Sequence, residues 1–438
     1  MKNLRCAVVG LLIATAVLPA WAAEEPAALR ARQLAREASA QALAADPAAR
    51  VAKFSEAVAL MPEHPRYLLG LAAAQTAAGH SELAVQALNR IADLGNVVDL
   101  AALEPLAALR ERNDFRAVVA RMAALRGPVG AGEVAFALPD MRGLIEGLAW
   151  REKTGECFFG DVHRRAIWRR TADGAVTRFD AGAGDDRLLG VFGIETDEAR
   201  GALWAATSAL PEMRGFTAEL KGRAGVAEFD LETGALRRVI LVPADGGEYL
   251  LGDLLVADDG SILATDSVAP VLWRLAPGAD ALERWAESPE FLSLQGLAFS
   301  PDGLAVIVAA YGNGLLRVDR ATREVVRLPA PAGATLLGVD GLERATDGAL
   351  IAVQNGIDPA RVVRVDLDPA ARAIRALTVL EAAHAEALAD PTLVCRAGDD
   401  LLVIGDAGWR FFEGGQAAEA APRRVPVLRV RSPAAPAP

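Results

Sequence analysis

Two kinds of hydrophobic patterning divide the chain. From residue 28 to about residue 125, apolar positions recur at spacings of three and four. The segments are RARQLAREASAQALAA, RVAKFSEAVALM, YLLGLAAAQTAAG and ELAVQALNRIADLG. That spacing places the apolar side chains on one face of a helix. Pro62, Gly79 and Gly95 stand where those helices should stop. Beyond residue 134 the pattern changes to short apolar runs of strand length, separated by turns rich in Asp and Gly.

The strand-type runs repeat. Six copies open at Glu146, Phe192, Gly252, Gln295, Asp340 and Pro391, 43 to 60 residues apart. The clearest read EGLAWREKTGECFFGDVHRRAIWR, GDLLVADDGSILATDSVAPVLWRL, QGLAFSPDGLAVIVAAYGNGLLRVD and DGLERATDGALIAVQNGIDPARVVRVD. A period near ~40–50 residues, with several short strands in each unit, marks the blade of a β-propeller. The fold class expected is therefore mainly β: a six-bladed β-propeller preceded by a small all-α domain. The linker is RGPVGAG. Either EVAFALPD or the C-terminal VPVLRVRS completes the last blade and removes the open sheet edges. The helical segment resembles tetratricopeptide repeats. Phe54, Ala57 and Pro62 fit the second helix and terminal proline of one unit, and Leu68, Ala72 and Ala84 fit the small-residue contacts of the next. Such arrays stack into a curved surface that often grips a protein or peptide; the alternative is that the helices simply cap the propeller.

The first 22 residues read as a secretory signal. Lys2 and Arg5 precede AVVGLLIATAVL, and Ala20-Trp21-Ala22 is a small-x-small cleavage site. The apolar run falls short of the ~20 residues that span a bilayer, so cleavage before Ala23 and export to the periplasm are expected, with no membrane span. The resulting division is 1–22 signal peptide, 23–125 tetratricopeptide-like helical domain, 126–133 linker, 134–432 propeller and 433–438 disordered tail. Removing Lys2 and Arg5 takes the formal charge from −11 to −13. An acidic surface without a basic stripe excludes nucleic acid as a partner. Two cysteines remain, Cys157 and Cys395, on neighbouring blades one and six. Export permits them to pair, and two buried free thiols are the simpler expectation.

The blade path locates the chemistry. The first strand of each blade starts at the channel mouth and the second returns to it. Asp161, Asp266, Tyr311, Asn355 and Asp406, at the ends of second strands, therefore share a face with the opening residues. Asp390 stands one step before Pro391. Glu146, Gln295 and Asp340 place two carboxylates and a carboxamide around one funnel, a donor set suited to a hard divalent cation, Ca²⁺ or another. A ligand pocket there would also draw on His163 and on Trp409, whose ring can stack on a sugar. The long loop at 208–225 is either a lid or a plain insertion.

These residues resemble those of the gluconolactonase, senescence marker protein and luciferin-regenerating enzyme group. The family motif EGP corresponds to Glu146-Gly147-Leu148, PNG to Leu294-Gln295-Gly296, and PDG to Val339-Asp340-Gly341. The resemblance implies a six-bladed propeller with one divalent cation held by Glu146, Gln295 and Asp340. It implies Asp340, with Glu146, as the general base that opens a lactone ring. It also gives His384, ahead of blade six, a place in the pocket. Two departures stand out: Gln295 replaces an Asn, and Gly252, in LGD for FND, replaces an Asn that contacts substrate. They leave open a second reading, a non-catalytic scaffold combining helical repeats and a propeller, with a small molecule at the mouth and a protein or peptide on the helices.

Overall fold

The computed structural model describes residues 25–40, 45–180, 187–412 and 421–431; the expected signal peptide and C-terminal tail lie outside them. Five helices come first: α1 (Ala27–Ser39), α2 (Pro47–Leu60), α3 (Pro65–Ala77), α4 (Ser81–Asp93) and α5 (Asn113–Ala124). Local chemistry sets their ends. The Asp46 carboxylate accepts a hydrogen bond from the Ala49 amide at 2.9 Å, and Pro47 opens α2. Gly79 and Gly95 follow α3 and α4 with φ of 79° and 73°, the left-handed conformation that closes a helix. Phe54, Ala57, Leu68, Ala72 and Ala84 are buried between the helices.

Six four-stranded antiparallel sheets follow. Their inner strands are Ile145–Arg151, Gly190–Asp197, Leu251–Val256, Leu294–Phe299, Val339–Arg344 and Val394–Ala397. The first five blades are each built from consecutive strands. The sixth uses both candidate closing segments. Arg423–Val430 is its third strand, and Val134–Met141 pairs with it as the outermost. The chain thus closes the ring with strands from the two ends of the propeller, and apolar clusters run between neighbouring blades. Cys157 and Cys395 lie in one of these clusters as buried free thiols.

The helices rest on the mouth side of blades four and five. Ala28, Ala31, Leu34, Ala57 and Met61 pack with Leu337, and Leu292 joins them. Asn96 Oδ1 accepts from the Asp358 amide at 3.0 Å, and the buried Arg361 donates to Leu94 O at 3.3 Å. Glu63 pairs with Arg327. Among the described residues, no helix is long and apolar enough to cross a membrane.

Candidate functional site at the channel mouth

The inner strands carry a shared irregularity. In the first five blades the register with the second strand shifts at the mouth: between Ile145 and Gly147, Val191 and Ile194, Leu251 and Leu254, Leu294 and Leu297, and Val339 and Leu342. A bulge turns a side chain out of the regular alternation. The residues inside these bulges are Glu146, Phe192, Gly252 with Asp253, Gln295 and Asp340. The glycines that follow have a steric cause. A Cβ on Gly296 would lie 2.5 Å from Asp340 O, and one on Gly341 would lie 2.6 Å from Thr392 O. Adjacent inner strands approach too closely near the axis for any side chain there.

Together these residues line a cavity of about 400 Å³, with Leu250, Ser267, Tyr311, Asn355, Asp390, Leu393 and Trp409. The structure therefore brings together Glu146, Gln295, Asp340, Tyr311, Asn355, Asp390 and Trp409 from four blades. Each acid is held by one oxygen. Glu146 Oε2 accepts from the Trp409 indole at 2.9 Å, and Asp340 Oδ2 accepts from Asn355 Nδ2 at 2.7 Å. Asp390 Oδ2 accepts the Trp409 and Gly408 amides at 2.7 and 3.0 Å, which fixes the indole. Tyr311 donates to Asn355 Oδ1 at 3.0 Å, and Asn355 Nδ2 also reaches Pro391 O at 2.9 Å. Among the described residues, the second oxygens of Glu146 and Asp340 have no donor. Gln295 gives its amide nitrogen to Ser293 Oγ at 3.2 Å, which leaves its carbonyl oxygen available.

Burial and mutual repulsion dominate the electrostatics. Burial, then Asp340, Asp390 and Asp253, hold the Glu146 carboxyl well above the usual range, against the pull of the Trp409 bond. Asp340 is pushed up to about 6 by burial and by Asp390, with Asn355 opposing. Asp253 is raised by burial and by Asp340, and Asp390 by burial and Asp406. Acids crowded so that they resist ionisation favour either a proton or a cation in their midst. The free oxygens of Glu146, Gln295 and Asp340 are a hard-donor set of the kind such a cation takes. Among the described residues no group of three His, Cys, Asp or Glu side chains has metal-ligand spacing, so any cation here would depend on the carboxamide.

Four expected pocket residues do not line the cavity, and each has a local task. Asp161 accepts the Arg164 amide at 2.9 Å and the Trp168 indole at 3.0 Å. Asp266 repeats this with the Ala269 amide and the Trp273 indole, at 2.9 and 3.1 Å. In both blades an Asp followed seven residues later by Trp ties the turn to the third strand. Asp406 is bound by both nitrogens of Arg410, at 2.5 and 2.8 Å. His163 is fully buried, its Nδ1 2.6 Å from Glu212 O and its ring against Phe412. His384 also lies away from the mouth and fastens the linker, with Nε2 2.7 Å from Val129 O and 3.0 Å from Glu381. The loop at 208–225 sends Met213 into the core, and none of its residues lines the cavity. Asp253 is the acid that sequence reasoning missed. Period-two alternation puts it opposite Gly252, and only the bulge returns it to the mouth.

No protein-family model matches the chain, and no curated protein matches it. Among solved structures, a gluconolactonase from Xanthomonas campestris is 17% identical, over 68% of this chain and 94% of its own, with a TM-score of 0.45. A luciferin-regenerating enzyme is 16% identical, over 70% of this chain and 96% of its own, at 0.46. Virginiamycin B lyase from Staphylococcus aureus is 13% identical, over 66% and 82%, at 0.45. All three are similarities of chain path at low identity, and no activity is taken from them.

Proposed function

We propose that the chain is an exported, gluconolactonase-like propeller that hydrolyses a lactone or related ester with the help of one divalent cation, Ca²⁺ or another. The observation that carries this reading is the pair of buried, mutually repelling acids Glu146 and Asp340. Each keeps one oxygen free in a cavity of about 400 Å³. Glu146, Gln295 and Asp340 would hold the cation, which when bound supplies Lewis-acid polarisation of the substrate carbonyl. With Oδ1 of Asp340 turned to such a cation, the proton of the attacking water goes to its Oδ2, the oxygen that also accepts from Asn355. As the ring C–O bond breaks, that proton passes to the leaving alkoxide. Asp390 acts through Trp409, whose indole orients Glu146.

The test is lactone turnover by the mature protein, assayed by acid release with each of Ca²⁺, Mg²⁺, Mn²⁺ and Zn²⁺. Turnover with a cation that is lost in Glu146→Gln and Asp340→Asn supports the reading, and no turnover with any cation removes it. The second reading is favoured by Gly252, which leaves blade three without a side chain at its opening position. In that reading the propeller binds a small molecule without turnover, and tetratricopeptide-like helices hold a protein or peptide partner. It predicts that ligand binding survives Asp340→Asn.

A further inference from the structure

A second cavity, of about 920 Å³, lies between the helices and the propeller mouth. Ser267 and Tyr311 line both it and the mouth cavity, so the two adjoin. Their chemistries are opposed. The mouth is acidic; the outer cleft has an apolar lining that includes Phe54, Leu69 and Phe291, and three arginines, Arg32, Arg36 and Arg66.

These three cations stand out in an acidic chain. All are exposed, and among the described residues none makes a hydrogen bond or an ion pair. Arg30, on the same helix, is paired with Glu56 at 3.4 Å. Arg32 and Arg36 are four apart on α1 and repel each other. The C-terminal dipole of α1 accounts for Arg36 alone. Arg66 is the second residue of α3, where the dipole disfavours a cation. Glu63, the nearest acid in sequence, is turned away to Arg327. All three line this one cleft together with Tyr67, whose phenol they lower against the rise that burial imposes. Nothing in the fold requires three uncompensated charges there; an incoming anion would satisfy them.

We propose that this cleft binds an oxyanion, a carboxylate or phosphate ester, carried on the apolar arm of a small molecule whose other end reaches the acidic mouth. The arm lies along Phe54, Leu69 and Phe291, and the anion meets Arg32, Arg36 and Arg66. This deepens the hydrolase reading, since it makes the substrate an ester or lactone with an anionic, partly apolar substituent. The binding itself requires no turnover and no cation at the mouth.

The experiment is calorimetric titration of the mature protein in chelator at low ionic strength, with 4-phenylbutyrate, phenyl phosphate and the neutral 4-phenylbutyramide. Three exposed guanidinium contacts are together worth about a tenfold preference for the anions over the amide, and added salt should erode it. The preference should vanish in an Arg32→Gln/Arg36→Gln/Arg66→Gln variant, whose substitutions are all on the surface. If only one anion is preferred, it identifies the headgroup. Glu146→Gln should keep the preference, so failure of the hydrolase reading leaves this result standing. Equal affinity for the amide and both anions, no measurable binding of any probe, or an undiminished preference in the triple variant overturns the proposal.

Discussion

Replacing Asp340 with Asn should stabilise the cation-free protein at neutral pH. Asp340 titrates near 6 in the folded chain against an ordinary 3.8. A carboxyl raised on folding favours the native state while it is protonated. That contribution is complete below about 3.8 and is lost as pH rises through about 6. A shift of roughly two units corresponds to about 3 kcal/mol of repulsion and desolvation at neutral pH. Asn removes that burden and relieves Glu146, for which Asp340 is the leading charged neighbour. The 2.7 Å bond from Asn355 to the carboxylate is already counted in that shift, which it opposes. The net gain is therefore about 3 kcal/mol. With an unfolding entropy of ~2.1 cal/mol/K per residue over about 300 propeller residues, Tm should rise by about 5 °C. The assay is thermal unfolding in chelator at about pH 7.5 and about pH 4, where the difference should disappear because wild-type Asp340 is then largely protonated. A saturating divalent cation should reverse the order, since it stabilises only the chain that binds it. A variant that melts below wild type at neutral pH in chelator, or a gap independent of pH, would show that Asp340 is not held against its ionisation.

Three further outcomes follow from other contacts. Trp409→Phe keeps the ring but removes the 2.9 Å bond to Glu146; the Glu146 carboxyl should rise further, seen as a shift to higher pH of any limb of the activity or cation-binding profile in which it must ionise. Leu138→Ala, at a fully buried position on the closing outer strand, should cost about 2–5 kcal/mol, measured by chemical denaturation. Arg361→Ala removes a buried guanidinium that joins Leu94 O, Thr335 O and Gln354. It should loosen the helices from blade five and speed proteolytic cleavage in the linker at 126–133, with the propeller surviving as a fragment.

The blade count was legible because the mouth imposes one steric rule. The inner strands crowd so closely that a glycine must follow the opening residue at Gly147, Gly193, Gly296 and Gly341, and that pairing repeats along the chain. The helix ends were legible for a similar local reason, since Pro62, Gly79 and Gly95 act on their own backbone. The pocket was only half legible. Strand direction correctly put Tyr311, Asn355 and Asp390 at the mouth, but direction alone does not tell an acid that faces the cavity from one used by its own turn. Asp161 and Asp266 are consumed by backbone amides and an indole within their blades. The Trp seven residues after each was present in the sequence as the signal of that use. The role of Arg361, and the docking of the helices on blades four and five, depend on partners more than 250 residues away, which no local pattern reports.

The placement of the helices changes what the mouth can select. An open propeller funnel with several buried acids repels anions, so an anionic substrate would be disfavoured by the same charges that would hold a cation. Here the helices bring three arginines to the outer cleft, which Tyr311 also lines, while acids line the floor. A molecule with an anion at one end and a cation-seeking carbonyl at the other is matched in only one orientation. A neutral lactone is not oriented at all. On the proposed binding mode the helical region would be more than a cover over one face: it would supply the half of the recognition that the propeller, with Gly252 bare, does not provide.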